Sequence, residues 1–257
     1  MKIDGAKILI TGSNRGIGLA VAQEMARRKA HLHLQMRSQD SKLTESLLAL
    51  GALSVKIWQV DLSVRDQIEK WLSELQNEKV DILFNNAGQL TGGLLEDQKI
   101  DEIYSMFQVN VNALVHLTHG LLPGMIQRRF GKIINHSSVS AIMHFPCAST
   151  YAASKAAVLA FSNCLQLEVA GTGVSTLCLV TPGIQTRMFN QISEKYAKNL
   201  EVPKDSIAPE VYAMKICEAV ENDLVTLGPS GATGFGLALA RHLPSVFRRA
   251  AAARFHR

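Results

Sequence analysis

The sequence predicts an α/β chain: a single parallel sheet wrapped on both faces by helices. Three observations carry this. Short apolar runs alternate with helical patterns from one end to the other, the order of elements that builds a parallel sheet. A glycine-rich turn separates the first apolar run from the first helical pattern. Hydrophobic content of 47% and charged content of 19% over 257 residues suffice for one sizeable core. No internal repeat or low-complexity linker divides the chain.

Residues 6–11 read as a short buried strand. Thr11-Gly-Ser-Asn-Arg-Gly-Ile-Gly18 follows at once, then a helical pattern to about residue 30 with Val21, Met25, Ala22 and Ala26 at i, i+4 spacing. A glycine-rich turn between strand and helix gathers bare backbone N–H groups and a helix N-terminus at one point, which suits a pyrophosphate. The glycines are Gly12, Gly16 and Gly18, spaced more widely than the common dinucleotide fingerprint. Residues 31–37 alternate as a second strand. A carboxylate near its end would hold ribose hydroxyls, whereas an arginine accommodates a 2′-phosphate. The strand ends in Arg37, no acid appears before Asp40, and Arg15 lies within the glycine turn. Two cations and no carboxylate favour NADP(H) over NAD(H).

Residues 55–60 form a third strand ending at Asp61-Leu62. The Asp61 carboxylate can take a hydrogen bond from an adenine amino group, and Asp61 or Ser63 can cap the helix that runs to about residue 77. Residues 80–84 form a fourth strand closing in Asn85-Asn86-Ala87-Gly88, small and amide residues that let the chain turn flat against a ligand. Residues 103–122 read as one long helix containing Asn110, a poor helix former unless its amide finds partners. Pro123-Gly124 punctuates this stretch. Residues 131–135 are a fifth strand delivering Ser137-Ser138, followed by a loop over 140–150.

Tyr151 and Lys155 open the next helix, expected to run to about residue 170. At i, i+4 they share one face, with Cβ atoms roughly 5–6 Å apart. A free tyrosine titrates at about 10, and a neighbouring ammonium is expected to lower that value and make a usable acid/base. Ser138 can donate a hydrogen bond to a substrate carbonyl, with Ser137 as runner-up. Residues 174–180 make a sixth strand followed by Thr181-Pro-Gly-Ile-Gln-Thr186. The polar segment 187–208 reads as a mobile lid. A helix over 209–221 and a seventh strand over 224–227 complete the sheet, giving a domain over 1–230 with 231–257 as its basic amphipathic extension.

The net charge of +5 has a local source: Arg241, Arg248, Arg249, Arg254 and Arg257 lie after Ala232 with no acid among them, leaving 22 basic and 22 acidic residues in 1–231. A balanced body argues against a nucleic-acid binder. A basic amphipathic tail is compatible with weak peripheral contact with an anionic membrane, but a helix covering the dimer or the pocket, followed by a frayed arginine end, is the favoured reading. The N-terminus shows no secretory signal, and no apolar run spans a bilayer. Cys147, Cys164, Cys178 and Cys217 form no Cys-x-x-Cys pair and are read as small buried hydrophobes in a reducing cytoplasm.

Together these blocks resemble the short-chain dehydrogenase/reductase family over residues 5–230: the glycine turn from Thr11 to Gly18, Asp61, Asn85-Asn-Ala-Gly88, Asn110, Ser138, Tyr151-x-x-x-Lys155 and Pro182-Gly183. The resemblance implies a Rossmann-type, doubly wound sheet of about seven strands, a nicotinamide cofactor and a catalytic set of Asn110, Ser138, Tyr151 and Lys155. Tyr151 would protonate the carbonyl oxygen and Ser138, thirteen residues earlier, would orient it. Lys155 would bind the nicotinamide ribose, Asn110 would hold a water in the proton path, and Thr186 would bind the carboxamide. Cofactor contacts are expected from Gly12, Asn14, Arg15, Gly16, Ile17, Gly18, Arg37, Asp61, Leu62, Asn86, Ala87, Gly88, Tyr151, Lys155, Pro182, Gly183, Ile184 and Thr186. The expected activity is NADPH-dependent reduction of a ketone or aldehyde by a cytoplasmic homodimer or homotetramer. His144, Phe145, Cys147 and segment 187–208 are expected to line an apolar substrate pocket. An NAD-dependent alcohol dehydrogenase and a nucleotide-binding regulator without turnover are the alternatives. In its ending the chain departs from bacterial 3-oxoacyl-carrier-protein reductases of the family, which close on a short glycine-rich strand.

Overall fold

The computed structural model describes residues 1–187 and 206–256. Seven strands form one all-parallel sheet in the order β3-β2-β1-β4-β5-β6-β7: β1 Lys7–Thr11, β2 His31–Met36, β3 Ser54–Gln59, β4 Ile82–Asn85, β5 Gly131–Ser138, β6 Val174–Thr181 and β7 Thr226–Leu227. The order reverses between β3-β2-β1 and β4-β5-β6-β7, so a crevice opens between the C-terminal ends of β1 and β4, where α/β sheets bind ligands.

Strand alternation divides the core in two. Ile8 and Ile10 face α1 (Gly16–Arg27), α2 (Ser41–Ala49) and the later helix Pro209–Glu221; Leu9 faces α3 (Arg65–Leu75) and the helices after β4 and β5. On α3 the i, i+3, i+7 set Ile68, Trp71 and Leu75 is buried, as the apolar period requires. Asp61 and Ser63 do not cap this helix. Its N-cap is Val64, without a side-chain bond, because the Asp61 carboxylate is already taken by the backbone N–H (2.9 Å) and hydroxyl (2.7 Å) of Ser63.

The stretch read as one helix over 103–122 is longer and interrupted. It comprises α4 (Ile100–Phe107), a wide π-turn over Gln108–Asn112 and α5 (Ala113–Arg128). Pro123 lies inside α5 on its exposed side, where water can take the carbonyl that a proline leaves unpaired. The next helix, α6, is Ser149–Glu168, followed by α7 (Pro209–Glu221), α8 (Gly231–His242) and α9 (Pro244–Ala252). Cys147, Cys178 and Cys217 are buried, but Cys164 is exposed on the outer side of α6. No described helix is long and apolar enough to cross a membrane.

At the sheet edge opposite the crevice, the fully buried Lys132 ammonium donates to Ser175 Oγ (3.0 Å) and pairs with Asp223, whose backbone is left-handed at φ 54°. The Lys132 hydrogen bond, outweighing burial, holds the Asp223 carboxyl below the usual carboxylate range. Its contribution is therefore complete above the unfolded carboxylate value and fades as pH falls through the lowered folded value. Asp223→Asn keeps a residue that tolerates the left-handed backbone but leaves the buried ammonium unpaired. Urea unfolding at pH 7 should show a loss of about 1–3 kcal/mol, shrinking in strong acid and partly recovered by adding Lys132→Met.

Candidate active site

Because every strand runs the same way, the segments leaving β1 to β6 all open onto one edge of the sheet. The motif residues that follow those strands therefore gather there, joined by residues of the π-turn and α6.

The floor is the glycine turn. Gly12 and Gly16 adopt φ of 64° and 56°, backbone that favours glycine. A Cβ on Gly18 would lie 2.3 Å from the Gly12 carbonyl oxygen and 2.5 Å from Asn86 Nδ2, so bare backbone is obligatory there. No side chain caps α1 at Arg15, which leaves the first N–H groups of the helix to a ligand. The turn is held from behind. Gly12 N–H donates to Gln35 Oε1 (2.9 Å), Gln35 Nε2 donates to the Val60 carbonyl (2.6 Å), and the Ser13 amide and hydroxyl both donate to the Gln35 carbonyl (3.2 and 3.1 Å). Asn86 Nδ2 donates to the carbonyls of Thr11 (2.8 Å) and Gly12 (3.1 Å), and the amides of Asn86 and Ala87 donate to Thr11 Oγ1, each at 2.9 Å. A cradle of this shape fits a pyrophosphate.

Around the floor, Asn14, Arg15 and Arg37 are exposed and Leu62 is buried. Burial raises the Asp61 carboxyl, but the Ser63 bonds and the Arg37 charge outweigh it and hold the group low. Thr186 reaches the turn: a Cβ on Gly16 would lie 3.3 Å from its Cγ2. Beyond Pro182, the segment Gly183 to Gln185 is pinned by a bridge between Ile184 and Ile207. These bonds tie together the ends of the stretch read as a lid, whose residues 188–205 lie outside the described residues.

The catalytic candidates converge at the end of β5. The Ser138 hydroxyl lies near enough to the Tyr151 phenol to favour its charged form against burial, and Ser138 Oγ accepts the Ser140 amide (3.2 Å). Ser137 points to the other face, its hydroxyl donating to the Lys155 carbonyl (2.8 Å). Lys155 Nζ donates to the His136 carbonyl (2.8 Å) and lies 5.8 Å from the centre of the Tyr151 ring. A Cβ on Gly88 would be 3.5 Å from Asn110 Oδ1 and 3.7 Å from Lys155 Nζ, so the three residues meet.

One reading changes here. The tyrosine is not acidified: burial pushes the Tyr151 phenol up to about 12, against the Ser138 hydroxyl, and pushes the Lys155 ammonium down to about 8. The Lys155 amine is turned to a backbone carbonyl rather than to the phenol, and the enclosed surroundings disfavour both charged forms. The buried Asn110 amide has protein partners. Its Oδ1 accepts the Gln89 amide (2.7 Å), and its Nδ2 donates to the Gln89 carbonyl (2.9 Å) and Ser154 Oγ (3.0 Å), tying the π-turn to the loop after β4 and to α6.

Sequence reading missed the supports. Asn85 Nδ2 donates to Thr118 Oγ1 (3.1 Å) and Asn135 Oδ1 (2.9 Å), and Asn135 Nδ2 donates to Ser162 Oγ (3.0 Å), so buried amides bind β4, β5, α5 and α6 together. Gln35 and His136 were also missed; each is a polar residue close to the C-terminal end of its strand, where the site lies.

The family model for short chain dehydrogenases matches residues 6–197 of this sequence. The chain is a short-chain dehydrogenase. It is 34% identical to the 3-oxoacyl-acyl-carrier-protein reductase FabG of Haemophilus influenzae, over 75% of this chain and 80% of that one. It is 31% identical to the ketoacyl reductase HetN of Nostoc, over 83% of this chain and 76% of that one. In fold it is similar to a short-chain dehydrogenase from Sphingobium yanoikuyae in complex with NADPH, with a TM-score of 0.81 and 23% identity over 98% and 97% of the two chains. A Burkholderia cenocepacia short-chain dehydrogenase in complex with NADP gives 0.80 and 21% identity over 98% and 99%. As a member of the family, this short-chain dehydrogenase is an NAD(P)-dependent oxidoreductase acting on CH–OH groups.

Gly18→Ala tests the floor. With a methyl 2.3 Å from the Gly12 oxygen, the turn must open. NADPH affinity, read by fluorescence titration, should fall by about tenfold or more, a loss of about 1.4 kcal/mol. Unchanged affinity would mean that the dinucleotide sits elsewhere.

Proposed function

We propose that this short-chain dehydrogenase is an NADPH-dependent carbonyl reductase, interconverting a ketone or aldehyde and its alcohol. The observation that carries the reading is the convergence of Ser138, Tyr151 and Lys155, with the Lys155 amine 5.8 Å from the Tyr151 ring, at the same sheet edge as the glycine cradle. A regulator without turnover has no use for a buried phenol and amine so placed.

The cradle of Gly12, Gly16, Gly18 and the start of α1 would hold the pyrophosphate. Arg15 and Arg37 would hold a 2′-phosphate, with Asp61 and Leu62 against the adenine. Asn86, Ala87, Gly88 and the run from Pro182 through Ile184 to Thr186 would flank the nicotinamide end. When bound, a nicotinamide supplies or accepts hydride. Ser138 would hold the substrate oxygen, and Tyr151, protonated through the whole working range, would give it a proton. Lys155 sits at the edge of its charged range; ribose hydroxyls and the positive ring of an oxidised cofactor would set its state and so ease proton return to the phenol.

A groove of about 520 Å³ lies between α6 and α9, lined by His144, Phe145, Pro146, Ala152, Ala156 and Arg248 among others. His144 and Phe145 line it; Cys147 is buried outside it. Phe247 meets Phe145 edge-on at 5.8 Å, and Met143 comes within 3.1 Å of where a Gly236 Cβ would be, so α8 and α9 pack beside the substrate loop. This favours a wall over a membrane contact. An apolar wall one helical turn from Tyr151 suits a carbonyl compound with an apolar body, and the names of the two relatives make a 3-oxoacyl chain the first to test. Ile100, Tyr104, Ile126 and Leu167 are exposed on α4, α5 and α6, which supports a homo-oligomer through those helices.

Tyr151→Phe should bind NADPH as the parent does and retain less than about one per cent of carbonyl-dependent NADPH oxidation. Turnover above that level ends the acid assignment. Arg15→Ala and Arg37→Ala should each weaken NADPH on the order of tenfold and leave NADH nearly unchanged. Equal losses for both nucleotides would remove the 2′-phosphate reading.

A further inference from the structure

His136 lies on the strand that carries Ser138, and nothing in the reaction described above uses its side chain. The ring stacks near Phe84, with centroids 6.2 Å apart, and its Nδ1 lies 3.2 Å from Asn86 Oδ1. The Asn86 amide can be oriented in only one way. Its Nδ2 faces the carbonyl oxygens of Thr11 and Gly12, which accept and cannot donate. Oδ1 therefore faces the imidazole, and a carbonyl-type oxygen there requires a hydrogen on Nδ1. Burial, with the Lys155 charge nearby, pushes the ring down to about 3, so it is neutral with its hydrogen on Nδ1. An enclosed Asn86 oxygen without that donor would lose its partner, and the amide would be free to turn.

We infer that the His136 imidazole is a positioning residue for the cofactor cradle: by donating from Nδ1 to Asn86 Oδ1 it fixes the amide that clamps the Thr11–Gly12 end of β1, coupling the strand that bears Ser138 to the turn that receives the dinucleotide. The clamp is tight, since Asn86 Nδ2 also lies 2.5 Å from where a Gly18 Cβ would be. Lys155 is held by the backbone carbonyl of residue 136, which any side chain leaves in place. The imidazole should thus act on cofactor affinity and not on the chemical step.

This rests on the cradle being the nicotinamide-nucleotide site, and two variants separate the ideas. His136→Leu removes the donor; His136→Asn replaces it with an amide N–H the same number of bonds from the backbone. NADPH titration and steady-state kinetics on the full chain should show the leucine variant weakened by roughly tenfold in Kd and cofactor KM, with kcat within threefold, and the asparagine variant restored to within about threefold of the parent. A leucine variant with parental affinity, an asparagine variant as weak as leucine, or a fall in kcat matching the rise in KM would overturn the inference. A parent chain that binds no nicotinamide nucleotide would instead bring down the cofactor reading, and this inference with it. If the leucine variant does not fold, the 15N spectrum of the parent imidazole decides. A neutral ring with its hydrogen on Nδ1 at pH 7 sustains the inference; a ring protonated on Nε2 overturns it.

Discussion

One hydrogen bond fixes the chemistry of this protein: Lys155 Nζ to the carbonyl of His136. It ties a helix to the end of the central strand, and Tyr151, one turn earlier, is thereby brought to Ser138. The bond partner is neutral. An ammonium enclosed with only a dipole for company is costly, which is why the amine titrates near 8 while the phenol beside it is driven to about 12. Burial shifts both groups toward their uncharged forms, so a charge arriving with a ligand would move both.

Around that bond the fold works by tethering. Asn110 secures the π-turn, Asn85 and Asn135 bind β4 and β5 to α5 and α6, and Asn86 clamps the glycine turn. Each amide sits where the chain departs from regular structure or where two layers meet. A buried amide is costly where an atom goes unpaired; among these residues only Asn85 Oδ1 is buried without a partner, and the bonds the others make specify one arrangement.

Much of this was legible in the sequence. Strand ends marked by glycine, asparagine and serine placed the site at one sheet edge, because parallel strands leave no other choice. The spacing of Tyr151 and Lys155 placed them on one helical face. The π-turn was not legible: an apolar period barely registers one extra residue in a helix, and Asn110 was the only hint. Pro123 misled because its exposed surroundings, which make it tolerable, are a tertiary fact. Cys164 misled because periodicity shows that a helix has an apolar side and not which cysteine lies on it. The tyrosine misled most, since proximity in sequence says nothing of how deeply a pair is enclosed or where its amine turns. Gln35 and His136 looked like ordinary polar positions of their strands, and their meaning appeared only once the neighbours were known.

Gln35 has a further consequence. Its side chain spans from the Gly12 amide to the Val60 carbonyl, so the glycine loop is already braced against two neighbouring strands. Loops rich in glycine ordinarily lose much conformational freedom when a ligand orders them. Here that loss has been incurred during folding, so encounter with the ligand requires little rearrangement of the floor. Modest contacts can then yield useful affinity, and release after turnover need not wait for the floor to unlock.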